Sequence, residues 1–228
     1  MGVYLSPVLS SLKTLMWFCP EVILSSCWRE NCICNIKKLP SIDIRGGPTY
    51  HTDTFLVPLC VVNHEVCLLY TKRSDVMPCS GTKVTFPGGG KVLRDETVYE
   101  AAAYHTYVDI GIRDIKFWTK MGQVLSRGPN IAVTPVIGEL TNFNMSKVKA
   151  NENIADVFTV PLRLLCDPFN HGHCRYDGVV VPVYAGGKYH IWGITAMITH
   201  RFLYALLSRE FYNPHFFRNE MKFRLMKP

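Results

Sequence analysis

Two runs near the first quarter of the chain, TFLVPLCVV and EVCLLYT, are apolar and rich in β-branched residues, and Asn63-His64 separates them. That pattern predicts two strands joined as a hairpin. Further on, NIAVTPVIGEL and DVFTVPL read as additional strands. VVVPVYA and YHIWGI flank Gly186-Gly187, a second hairpin signal. In ITAMITHRFLYALLSREF the apolar positions Ile194, Met197, Ile198, Phe202, Ala205 and Leu206 recur at helical spacing. Strands and helices thus alternate over about 160 residues. The expected architecture is an α/β domain with a mixed β-sheet between helices. IRGGPTYHTD marks a break, which divides the chain into an N-terminal extension (1–50), a compact domain (51–212) and a C-terminal tail (213–228).

Composition narrows the function classes. Apolar residues make up 48% and charged ones 19% of the 228 residues, enough to build a sizeable core and too apolar for wholesale disorder. The net charge of +7 favours anionic small ligands. No run of five or more Lys/Arg marks a nucleic-acid tail, so no nucleic-acid partner is expected. The nine cysteines are odd in number, form no CxxC pair and sit largely in apolar runs. They imply a reducing, intracellular compartment without a disulfide framework. His171, His173 and Cys174 in NHGHC lack a fourth metal ligand, and that segment is read as a polar loop.

The first residues, MGVYLSPVLSSLKTLMWFCPEVILSSCW, are interrupted by Lys13, Pro20 and Glu21. No apolar run reaches the roughly 20 residues of a spanning helix, so no transmembrane span is expected. There is no basic start of the secretory type; a mitochondrial location stays open. The C-terminal RLMKP is not a peroxisomal signal.

The candidate chemistry lies in FPGGGKVLRDETVYEAAAYHTYVDIGI, residues 86–112. Gly88, Gly89 and Gly90 allow positive φ and close approach of backbone to a ligand. Thr97 followed by Glu100 fits a capping box that starts a helix. Ala101, Ala102 and Ala103 favour its interior, and Gly111 stands where a left-handed cap would end it. A strand, a glycine turn and a helix in this order commonly hold anionic groups.

This segment resembles a Nudix box, G-x5-E-x7-R-E-U-x-E-E-x-G-U, with U a bulky aliphatic residue. Gly90 and Glu96 match its start; Gly111 and Ile112 match its end. LLYTKRS followed by FPGG is similar to an element of the coenzyme A diphosphatase branch. NIAVTPVIGEL, DVFTVPLRLL and YHIWGITA follow in that branch's order, so the resemblance covers about residues 54–210. It implies a Nudix-like α/β/α sandwich. It also implies hydrolysis of the diphosphate of coenzyme A or a derivative, using Mg2+ or Mn2+ held by box glutamates. Arg73, Gly88, Gly89 and Gly90 are then the substrate-side candidates, and Glu96, His105 and Asp109 the catalytic ones.

The sequence departs from the pattern at its acids. Tyr104-His105 stands for Arg-Glu, and Val108-Asp109 for Glu-Glu. Positions 105, 108 and 109 are expected to share a helix face, which then carries one carboxylate instead of three. Asn153, with Glu152 beside it, falls where the branch has a further glutamate, and Ser80 and Thr82 replace a usual His and Gly. His105 and Asp109 form an i,i+4 pair that would suit Zn2+ or Fe2+ better than Mn2+; the structural alternative is a His–Asp hydrogen bond. Glu96 is either the box acid or a carboxylate stabilising a helix N-terminus. Two functions follow: a coenzyme A diphosphatase-like hydrolase with weak or lost activity, or an inactive Nudix-like module that binds a nucleotide or a protein partner. The oligomeric state is not legible.

Overall fold

The computed structural model describes residues 18–43, 51–74, 84–94, 96–125, 131–176 and 179–221. In chain order the elements begin with α1 (Pro20–Ile23), α2 (Ser26–Lys38) and β1 (Ile42–Asp43). There follow β2 (His51–Val62), β3 (Glu65–Arg73), β4 (Val84–Thr85), β5 (Gly88–Lys91) and α3 (Val98–Ile110). Then come β6 (Ile115–Lys120), β7 (Val124–Leu125), β8 (Ile131–Leu140), β9 (Ile154–Pro161) and α4 (Leu162–Cys166). The chain closes with β10 (His171–Tyr176), β11 (Val179–Tyr184), β12 (Ile191–Trp192) and α5 (Gly193–Leu206).

Nine strands form one mixed sheet, in the order β1-β7-β8-β2-β3-β4, with β5 also on β2, β6 on β8 and β9 on β3. β2 and β8 run parallel at its centre, from His51 opposite Ile131 to Leu59 opposite Glu139. The β2–β3 hairpin closes through Asn63 (φ 50°) and His64 (φ 62°). Two consecutive left-handed residues give the turn whose twist matches antiparallel strands.

Strand alternation sorts the core into two layers. Leu56 and Cys60 of β2, Cys67 and Leu69 of β3, and Val136 and Leu140 of β8 pack with Ala102 and Ile110 of α3. Val57 and Leu59, Leu68 and Tyr70, and Val133 and Ile137 point the other way, toward α1, α2 and α5. The fold is therefore an α/β/α sandwich with a mixed sheet. β10, β11 and β12 form a separate three-stranded antiparallel sheet beside α5.

The break near residue 50 does not interrupt packing. Ile23, Cys32 and Ile36 are buried in the same cluster as α5, each large apolar side chain contributing about 1.5–3 kcal/mol. Trp28 Nε1 and Asn35 Nδ2 donate to the carbonyls of Leu206 (2.8 Å) and Ala205 (3.1 Å). Those are helix-end acceptors that have no partner within α5 itself. The short β1 pairs in parallel with β7.

One local expectation is corrected and another holds with a different turn. NHGHC is not a polar loop, since residues His171–Tyr176 form β10, antiparallel to β11. His171 is fully buried; its Nε2 is 2.8 Å from the Leu165 carbonyl, and its Nδ1 accepts the His215 N–H at 3.3 Å. The hairpin at Gly186-Gly187 is real, but its connection runs from 185 to 190. These glycines are not left-handed; a Cβ on Gly186 would lie 2.3 Å from the Asn170 side chain. Smallness, not positive φ, is what that position requires.

The first part of the tail docks on β10. His173 N–H donates to Asn219 O (2.8 Å) and Met221 N–H donates to His173 O (2.7 Å). No helix among the described residues is long and apolar enough to cross a membrane. The eight described cysteines are all free.

Candidate functional site

β5 brings the three glycines against β2, pairing Gly90 with Thr54 and Gly88 with Phe55 across a bulge. Gly88 (φ 107°) and Gly89 (φ 90°) are left-handed, and a Cβ on Gly89 would lie 2.6 Å from the Phe55 ring. The turn thus needs glycine for conformation and for space. Thr97 caps α3 with its side chain on the Glu100 N–H, while Glu100 returns a carboxylate to the Thr97 N–H at 2.9 Å. Those bonds hold the Glu100 carboxyl below its ordinary pKa. Gly111 (φ 76°) ends the helix as a left-handed cap.

Helical geometry separates the box positions that the pattern groups together. Successive residues are about 100° apart, so Asp109 turns inward at 6% exposure while Val108 turns outward at 42%. His105 lies between them, half-buried.

The Asp109 carboxylate faces the scaffold. Its Oδ2 accepts the Gly88 N–H at 2.9 Å and lies 3.6 Å from Arg73 Nη2. Its Oδ1 is 3.5 Å from the Asn151 amide. Arg73 Nη2 also donates to the Gly88 carbonyl at 2.5 Å. Arg73, Gly88 and Asp109 therefore form one clamp between β3, the glycine turn and the last turn of α3. Asn151 extends it, giving its side-chain amide to Val108 O (3.0 Å) and its N–H to Asp109 O (3.0 Å).

His105 is not hydrogen-bonded to Asp109. Its ring covers Gly90 so closely that a Cβ there would meet ring atoms at 2.0–2.3 Å. Across β5 stands Asp53, 3.2 Å from His51 Nε2. Burial raises the Asp53 pKa, and the positive charges of His51, His105 and Lys91 oppose that rise. Glu96 sits before the helix and accepts the Leu93 N–H at 3.2 Å. Glu152 is exposed, and Asn153 donates its N–H to Asn151 Oδ1 at 2.9 Å. Among the described residues no three His, Cys, Asp or Glu side chains are grouped so as to hold a metal ion.

Sequence reasoning missed Asp53, His51 and Asn151. Asp53 and His51 occupy alternate positions at the start of β2, a period-2 signal in the sequence, but their nearness to the glycine turn depends on strand pairing. Asn151 reaches α3 only through the loop after β8.

No protein-family model matches the chain. Individual relatives do. The mitochondrial coenzyme A diphosphatase NUDT8 of Homo sapiens is 31% identical over 168 residues, spanning 70% of this chain and 70% of its own. The Nudix box remnants lie inside a relationship of that length. The chain belongs to the Nudix hydrolase superfamily, in its coenzyme A diphosphatase-like branch. NUDT8 of Mus musculus is 30% identical over 168 residues, covering 70% of this chain and 79% of its own length. A probable nudix hydrolase of Schizosaccharomyces pombe is 26% identical over 175 residues, covering 73% of this chain and 60% of its own.

Proposed function

We propose that this Nudix member binds a coenzyme A-type diphosphate ester against the glycine turn and α3, and cleaves it slowly or not at all. The observation that carries the reading is the engagement of Asp109 by Gly88, Arg73 and Asn151. The one acid left among positions 105, 108 and 109 faces the scaffold, and its neighbours contribute an imidazole and an aliphatic group. Mg2+ and Mn2+ ask for several oxygen ligands in octahedral array, and this donor set does not fit them. Phosphoryl transfer rests on positioning and charge neutralisation, so a deficit of anionic ligands costs orders of magnitude in rate. Arg73 and the Gly88–Gly90 turn remain the substrate-side candidates. Glu96 and His105 are the groups left to assist at the reacting end. The NUDT8 relatives are named as mitochondrial proteins, and a mitochondrial location is proposed here on that likeness.

Incubation with coenzyme A and Mg2+ or Mn2+ tests the reading. Release of 3′,5′-ADP is expected to be at or near background. Robust turnover abolished by Asp109→Ala contradicts it.

A second reading has its own support. Tyr104 (59% exposed) and Val108 (42%) turn apolar surface outward where the family pattern carries Arg and Glu, and Tyr107 (40%) lies beside them. That surface suits an inactive module that holds a nucleotide or a protein. A thermal-shift screen separates the two: stabilisation by coenzyme A or its acyl derivatives supports the first reading, and none by any nucleotide supports the protein-binding form of the second.

A further inference from the structure

At the C-terminal end of α3, Tyr107, Val108 and Gly111 form one wall of a cleft of ≈ 700 Å³, and Ser146, Lys147 and Lys149 form the other. Lysines beside a helix C-terminus ordinarily serve as caps. Here the caps are already supplied. The carbonyl of Tyr107 accepts the Gly111 N–H, that of Val108 the Asn151 amide, that of Asp109 the Asn151 N–H, and that of Ile110 the Lys149 N–H. The two lysine ammonium groups are therefore not used by the helix end, and among the described residues neither forms an ion pair. A third cation, Arg113, lies 3.7 Å from the Tyr107 ring centroid. Arg113 and Lys149 hold the Tyr107 hydroxyl below its ordinary pKa, with the Arg113 hydrogen bond the larger cause. No carboxylate lines the cleft, and Asp109, the nearest along the helix, is turned inward and engaged.

We infer that this cleft binds a phosphorylated small molecule without a metal ion, the phosphate or diphosphate group lying between Lys147 and Lys149 and its apolar part against Tyr107 and Val108. The site goes beyond the reading above, because its charge comes from Lys147 and Lys149 at the C-terminal end of α3 and not from Arg73 and the glycine turn. Lysine is a common phosphate ligand, acting as a point charge, and Tyr107 offers a ring face to an apolar or aromatic portion.

The test is calorimetric titration of the full chain with inorganic diphosphate in EDTA. Binding is expected without added metal. Lys147→Ala with Lys149→Ala should weaken it about tenfold, the size expected for losing two exposed charge contacts to a multivalent anion. Lys116→Ala, a lysine paired with Glu139 elsewhere, should leave it unchanged. Val108→Glu places a carboxylate in the wall and should weaken binding in EDTA; a metal-held diphosphate would instead bind more tightly to that variant once Mg2+ is added. Unfolding midpoints of all variants, measured in parallel, confirm that they fold. No binding in EDTA, binding that appears only with Mg2+, or an unchanged affinity in the double lysine variant overturns the inference.

Discussion

Replacing Asp109 with Ala tests whether this carboxylate is a scaffold element. The substitution removes the acceptor of the Gly88 N–H, a buried bond, and the counter-charge of Arg73, whose side chain is 14% exposed. A hydrogen bond to a charged group contributes about 1.5–3 kcal/mol. The Arg73 contact is longer, at 3.6 Å, and Arg73 keeps the Gly88 carbonyl, so its loss adds only about 1 kcal/mol. The expected cost is thus about 3 kcal/mol. Asp109→Asn retains a neutral acceptor for Gly88 and should recover about half of that. Urea unfolding at neutral pH, with equal m-values for the three proteins, gives both numbers. A cost below about 0.5 kcal/mol for Asp109→Ala, the range of an uninvolved surface change, would refute the clamp.

Three other outcomes follow from the same structure. Gly90→Ala should cost about 1–3 kcal/mol by overpacking against the His105 ring, and Gly90→Ala in a His105→Ala background should cost less; equal costs in the two backgrounds would show that the ring is not the obstacle. Burial lowers the pKa of His171 and takes that of His200 from 6.5 to about 4. Arg201 and His171 add to the His200 shift, while Asp167 and the Leu165 carbonyl oppose that of His171. Both groups are depressed on folding, so their stability is fully present above about pH 6.5 and is lost as pH falls toward the folded values; urea midpoints at pH 7.5, 6 and 4.5 should decline in that order, and less steeply in His200→Asn. Deleting residues 213–228 removes the partners of His171 Nδ1 and of the His173 backbone, and the unfolding midpoint should drop; an unchanged midpoint would make the docking of the tail energetically idle.

Much of the scaffold was legible because its signals are local. Thr97 and Glu100 are three residues apart, and Gly111 follows the last helical turn, so the bounds of α3 are written within one segment. The Asn63-His64 turn is local in the same sense. The alternation that splits β2 into two faces is also visible in TFLVPLCVV. By contrast, α2 has an irregular apolar pattern, and only Cys32 and Ile36 of it are buried; its place in the core is set by α5, roughly 170 residues away. In sequence β10 reads as a polar loop, yet its backbone pairs with β11 and His171 finds its partners in α4 and the tail. At the site, spacing placed 105, 108 and 109 near one another. It did not show that Asp109 points inward to Gly88 while Val108 points to solvent, because that division depends on where the sheet lies.

On this structure α3 carries too few carboxylate oxygens to hold a divalent ion. Electron paramagnetic resonance titration of Mn2+ tests it directly, comparing the natural chain with the His105→Glu, Val108→Glu double variant at neutral pH. A free-ion signal at millimolar metal is expected for the natural chain, and measurable binding once the two acids are added. Tight binding by the natural chain, lost in Asp109→Asn, would contradict it.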